Sequence, residues 1–114
     1  MRTILAGSRS ISDYELLRRE IILSQFVITE VVSGGASGVD SLGERWAREN
    51  GIPLRMFRAD WGQFGYRAGI RRNCEMARYA DQLIAIWDGR SKGTAHMVGE
   101  MTLLGKAVHV GPQR

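Results

Sequence analysis

The run Gln82-Leu83-Ile84-Ala85-Ile86-Trp87 restricts the fold more than any other stretch of this chain. Its apolar character is nearly continuous, so neither face of a strand built from it can stand in water. That is the signature of a central strand in a parallel sheet, covered by helices on both sides. Parallel neighbours need crossover connections, most often a helix. With 114 residues there is room for one such domain with one core.

The remainder of the chain supplies the crossovers. Residues 2–6 read as a short buried strand, followed by the turn Gly7-Ser8-Arg9-Ser10. Ser12 and Glu15 form a capping-box pattern, with Ser12 as N-cap of a helix over 13–26 that turns Tyr14, Leu17 and Ile21 to one side. A second strand is expected at 30–33 and a second helix at 39–49, closed by Asn50-Gly51. Pro53 bars continuation, and 54–57 read as a third strand. Residues 58–69 read as a loop over the sheet edge. A helix over 68–80 places Ile70, Cys74 and Ala77 at helical spacing. After the 82–87 strand and the turn Asp88 to Gly93, a last helix runs to about residue 104 with Val98, Met101 and Leu104 inward, ended by Gly105. A strand at 107–110 and a tail over 111–114 complete the chain. The strict alternation predicts an α/β fold: a Rossmann-like doubly wound sandwich of about five mostly parallel strands with helices on both faces.

Composition narrows the class further. The chain carries 16 basic and 12 acidic residues, for a net charge of +4. Lys92 and Lys106 are its two lysines; every other basic residue is an arginine, whose planar fork suits phosphate and carboxylate. The excess fits an anionic small ligand or nucleic acid, but basic runs interleaved with aromatics, which would track a single strand, are missing. No apolar run approaches the roughly 20 residues that span a bilayer, and the first residues do not form a signal peptide. The single cysteine, Cys74, excludes an internal disulfide and sits at an apolar helical position. His96 and His109 lack partners at metal-ligand spacing, so no metal and no cofactor are assigned. A reducing cytoplasm is the expected compartment.

Doubly wound folds bind ligands at the carboxyl ends of their strands, near a topological switch point. Three loops fall there: 7–10, 34–38 and 88–93. The middle one, Val31-Val32-Ser33-Gly34-Gly35-Ala36-Ser37-Gly38-Val39-Asp40, is a strand, a glycine turn and a helix start. That geometry offers backbone N–H groups and a positive dipole end to an anion. A tight turn that needs small residues for packing alone would look the same. Convergence of the three loops favours a ligand site. Its candidates are Gly7, Ser8, Arg9, Ser33, Gly34, Gly35, Ser37, Gly38 and Asp40 from the first half of the chain. Asp60 and Trp61 follow the third strand, where a carboxylate can meet a sugar hydroxyl and an indole can stack on a base. Arg72 and Asn73 open a helix as a phosphate clamp or a solvated basic turn. Trp87, Asp88, Gly89, Ser91, Gly93 and Thr94 complete the set. Trp46 reads as core. No catalytic set is complete; Arg72, Asp88 and Glu100 are the candidates for acid–base or electrostatic work. The dinucleotide pattern G-x-G-x-x-G and the Walker pattern are both missing.

Taken in order, these motifs resemble the SLOG superfamily of Rossmann-like nucleotide-ligand-binding domains, and within it the YspA/YpsA-related branch. The matching pieces are Ala6-Gly7-Ser8-Arg9; Ser33 to Asp40 with Leu42-Gly43-Glu44 and Trp46-Ala47; Ala59-Asp60-Trp61; Ala68-Gly69 with Arg72-Asn73 and Met76-Ala77; Ala80-Asp81; and Trp87 to Thr94 with Met97. They span almost the whole chain. The resemblance implies a nucleotide or nucleotide-derived ligand, ADP-ribose-like, NAD-derived or a nucleoside monophosphate, in a pocket of three glycine-rich loops, and a homodimer or higher homo-oligomer. Two relatives frame the alternatives. The chain is similar to the Lonely-guy nucleoside-5′-monophosphate phosphoribohydrolases at Arg72 and Gly93-Thr94, but Met97 stands where their pattern has glutamate and Trp87-Asp88-Gly89 where it has P-G-G. It also resembles DprA, a single-stranded-DNA-binding protein, at Gly7-Ser8-Arg9, at Ser33 to Asp40 and at Arg72-Asn73.

Overall fold

The computed structural model describes residues 1–112, apart from the side chain of Tyr66. Five strands, β1 (Arg2–Gly7), β2 (Glu30–Ser33), β3 (Leu54–Met56), β4 (Gln82–Ile86) and β5 (Ala107–Gly111), form one sheet in the order β3-β2-β1-β4-β5. Every neighbouring pair is parallel. The chain builds leftward from β1 through β2 to β3, then crosses back to lay β4 on the other side of β1. The switch point therefore lies between β1 and β4.

Side-chain alternation along the strands makes two cores. On one side Ile4, Val32, Leu83 and Ala85 meet Met76, Ala77, Met97 and Met101 from helices α4 (Ala68–Tyr79) and α5 (Lys92–Leu103). On the other, Leu5, Val31, Ile84 and Ile86 meet Leu17, Ile21, Val39 and Ala47 from α1 (Tyr14–Ser24) and α2 (Val39–Glu49). All five residues of β4 are buried, as its apolar run predicts. Each fully buried Leu, Ile or Val side chain contributes about 1.5–3 kcal/mol. Among the described residues, no helix is long and apolar enough to cross a membrane.

Several local expectations differ. The N-cap of α1 is Asp13, not Ser12: its carboxylate accepts from Leu16 N at 3.2 Å. The helix ends at Ser24, where Gln25 takes a left-handed conformation with φ 59°. Residues 58–69 are not plain loop. Asp60 caps a one-turn helix, α3 (Trp61–Phe64), by accepting from Gln63 N, and a 3₁₀ turn (Gly65–Arg67) leads into α4. On α4 the polar Asn73 is buried and Ile70 is half exposed, because Asn73 has hydrogen-bond partners inside the fold. On α5, Met97 and Met101 face inward while Leu104 lies in the exposed C-cap. Gly111 belongs to β5 rather than to a tail, and residues 113–114 of the expected tail lie outside the described residues.

Candidate functional site

Parallel strands bring the loops after β1, β2 and β4 to one edge of the sheet. Helix α4 runs back along the sheet, so its first turns sit above the same edge. There they enclose a cavity of about 420 Å³. From the β1 loop it is lined by Gly7, Ser8, Arg9 and Ser10; from the β2 loop by Gly34 and Ala36; from α2 by Asp40. Arg72, Asn73 and Met76 come from α4, and Asp88, Ser91, Gly93, Thr94 and Met97 from the β4 loop and α5.

The β1–β4 crevice is laced together by its own loops. Ser8 is buried; its backbone N donates to Ile86 O at 3.0 Å and its Oγ accepts from Asp88 N at 3.0 Å. The Asp88 carboxylate accepts from the backbone N of Arg90 (2.8 Å) and Ser91 (3.0 Å). These N–H groups hold its carboxyl below the usual range, so Asp88 is an anion tied into its turn. Ser91 caps α5 by accepting from Thr94 N at 3.3 Å, and the Thr94 hydroxyl donates to Ser91 Oγ at 3.0 Å. The N-terminus of α5 thus opens onto the cavity, as does that of α2, whose N-cap Gly38 has φ 73°. A side chain at Gly38 would strike the backbone of Ser8 and Arg9.

Opposite stands Arg72. Its Nη1 donates to Gly34 O at 2.7 Å and its Nε to Asn73 Oδ1 at 3.2 Å. Asn73 Nδ2 donates in turn to Gly93 O at 3.3 Å. One α4 pair therefore ties the β2 loop to the start of α5. Burial lowers the basicity of Arg72, Asp40 opposes that, and Arg9 adds to it, so the three charges share one field. Asp40 is the other unusual group. Burial pushes its carboxyl up to about 6, although the hydrogen bond from Ala36 N, at 3.2 Å, and the Arg72 charge both pull it down.

A second recess of about 220 Å³ adjoins the first through Arg9, Gly34, Ala36 and Arg72. Gly35, Arg58, Ala59 and Trp61 complete its walls. The exposed indole of Trp61 lies against Gly69 of α4, where a Cβ would fall 3.3 Å from the ring.

Of the residues expected at the site, Gly7, Ser8, Arg9, Gly34, Asp40, Arg72, Asn73, Asp88, Ser91, Gly93 and Thr94 line the main cavity. Gly35 and Trp61 line the recess. The others stand behind or beside them. Ser33 is buried and donates to Glu44 at 2.9 Å while accepting from Gly35 N. Asp60 is the α3 cap. Trp87 donates from Nε1 to Ser91 O at 3.0 Å, bracing the β4 loop from outside the cavity. Gly38 packs on the β1 loop, Gly89 turns with φ 83°, and Ser37 is exposed. Glu100 lies beside His96 on α5, away from both recesses. Sequence reasoning missed Ala6, Ser10, Ala36, Met76 and Met97 of the cavity and Arg58 and Ala59 of the recess. Ala6, Ser10 and Ala36 adjoin the glycine turns, and Ala59, Met76 and Met97 stand in the motifs that carry the family resemblance, so each had a signal; Arg58 had none.

The sequence model of the YspA, cpYpsA-related SLOG family matches residues 1–64 of the chain. The Gene 61 protein of Mycobacterium phage D29 is 38% identical over 109 aligned positions, which span 87% of this chain and 86% of that protein. No solved structure matches the chain significantly.

Proposed function

Because the chain belongs to the YspA, cpYpsA-related SLOG family, we propose that it is a binding domain for a phosphate-bearing, nucleotide-derived ligand of the ADP-ribose, NAD or nucleoside monophosphate kind, acting as a sensor or processing domain. The observation that carries this reading is the convergence on one cavity of Arg9, Arg72 and the N-termini of α2 and α5. Guanidinium forks and helix N-termini are the groups that hold phosphate. The cavity volume lies in the range of small-molecule sites. The adjoining recess supports a two-part ligand: its indole and Arg58 suit a base or second phosphate while the main cavity holds the first. A C₂ homodimer in the cytoplasm is part of the same proposal.

Calorimetric titration of the full chain with ADP-ribose, NAD and AMP tests the reading. Saturable binding of at least one, lost in Arg72→Gln with the fold intact, is expected. No heat from any of the three, with a folded protein, overturns it.

One observation favours a second reading, hydrolysis of the base–ribose bond. Asp40 presents to the cavity a carboxyl that titrates near 6, where a general acid is useful. Met97 lines the cavity where the Lonely-guy pattern has its glutamate, and Asp88 is held as an anion in its turn, so Asp40 would have to serve. Base released from nucleoside monophosphates, falling as pH rises above about 6, is the expected signature. No release at high enzyme concentration removes this reading and leaves the binding domain.

A further inference from the structure

The contact between α4 and α5 gathers three groups that the cavity does not use. Cys74 Sγ on α4, a ring nitrogen of His96 and a carboxylate oxygen of Glu100 on α5 all lie within 4.8 Å of one another. His96 and Glu100 stand one turn apart on the same helix face, with His96 Nε2 3.5 Å from Glu100 Oε1. All three are partly buried, so the trio is both held and reachable.

We propose that Cys74, His96 and Glu100 form a zinc-class metal site, with a fourth position open to water. A thiolate, an imidazole and a carboxylate are the donor types of zinc and its neighbours, whereas magnesium and calcium take oxygen donors alone. Bonds of about 2.0–2.3 Å around a tetrahedral ion set neighbouring donor atoms roughly 3.3–3.7 Å apart. From the present separations, side-chain rotation covers the difference of about 1 Å. The ligands come from two packed helices, so the ion would cross-link α4 to α5.

Zinc takes cysteine as the thiolate, so coordination releases the Cys74 thiol proton. Asn73 Nδ2 lies 3.2 Å from His96 Nδ1, which accepts the hydrogen bond and leaves the ring proton on Nε2. An ion on Nε2 moves the ring proton to Nδ1. Asn73 keeps its bonds to Arg72 and Gly93 and gives up the one to the ring. The site itself needs no nucleotide.

The reduced, metal-free full chain titrated with Co²⁺ tests this. One ion per chain is expected, with a thiolate-to-cobalt charge-transfer band that Zn²⁺ abolishes and Cys74→Ser lacks. Zn²⁺ affinity should fall by about tenfold or more in Cys74→Ser and in His96→Gln. Should either variant fail to fold, Zn²⁺ must still slow alkylation of Cys74 in the unaltered chain. A missing charge-transfer band, unchanged affinity in folded Cys74→Ser, or undiminished alkylation overturns the site. Each result is independent of whether any nucleotide binds.

Discussion

Arg72 Nη1 donates to the carbonyl of Gly34 at 2.7 Å, and a Cβ on Gly34 would fall 2.8 Å from the same nitrogen. The glycine is there so that the guanidinium can approach. This contact joins the first turns of α4 to the loop after β2, two segments distant in sequence, and sets the arginine at the boundary between the two recesses.

Gly34→Ala should displace Arg72 and leave the fold in place. The obstructing atoms are the far end of a flexible side chain, so the stability cost should stay within about 1–3 kcal/mol. Affinity for ADP-ribose or its relatives should fall by about tenfold, since the guanidinium loses its anchor. Thermal melting and calorimetry on one preparation separate the two effects. Wild-type affinity in a folded Gly34→Ala would show that Arg72 does not hold the ligand.

Asp40 should make the protein less stable as pH rises. Its carboxyl titrates near 6 in the folded chain against an ordinary value of 3.8, so the folded state binds the proton more tightly than the unfolded one. The resulting penalty is negligible below about pH 4, grows as pH rises, and is complete above about 6. There it is on the order of 3 kcal/mol. Asp40→Asn, which keeps an acceptor for Ala36 N, should raise the melting temperature at pH 8 and change it little at pH 4. Equal melting shifts at the two pH values would contradict a buried, elevated carboxyl.

Gly7→Ala should be far more damaging than Gly34→Ala. A Cβ at Gly7 meets the Ile86 carbonyl oxygen, a backbone atom of the paired central strand that cannot rotate away. The same oxygen accepts from Ser8 N. We expect a loss at or beyond the upper end of about 1–3 kcal/mol, or no folded protein. A denaturant midpoint near wild type would mean that β1 and β4 separate more easily than their register indicates.

Lys106 should be a stability residue despite its charge. Its Nζ donates to the carbonyls of Ala77 (2.6 Å), Arg78 (3.1 Å) and Ala80 (2.7 Å), closing the C-terminus of α4. The ammonium satisfies carbonyls that the helix leaves open and sits at the negative end of its dipole. Lys106→Met keeps the aliphatic stem and removes the donors. A loss of about 2 kcal/mol in urea unfolding is expected, with ligand binding unchanged.

The sheet, its parallel sense and the order of elements were legible in the sequence because they follow from short-range patterns. The apolar run of β4, glycine turns and helical spacing all act within a few residues of themselves. The same reasoning went astray where two local choices compete at similar energy. Ser12 and Asp13 can both cap α1, and the structure uses Asp13. Ile70 and Asn73 can both face inward on α4. Asn73 is drawn in by Arg72 and Gly93, one of them from another element.

Cys74, His96 and Glu100 belong to a different category. Each is unremarkable in its own stretch, and only the packing of α4 on α5 puts their donor atoms together. Asp40 is similar: its place in the first turn of α2 can be read from the sequence, but its elevated carboxyl arises from burial beneath the β2 loop. By itself the amino-acid sequence determined a doubly wound α/β chain with glycine loops at one edge of its sheet, since periodicity and backbone sterics are properties of neighbours. The tertiary structure decided which charges share a cavity and which side chains meet across helices, since desolvation and contact depend on residues far apart in the chain.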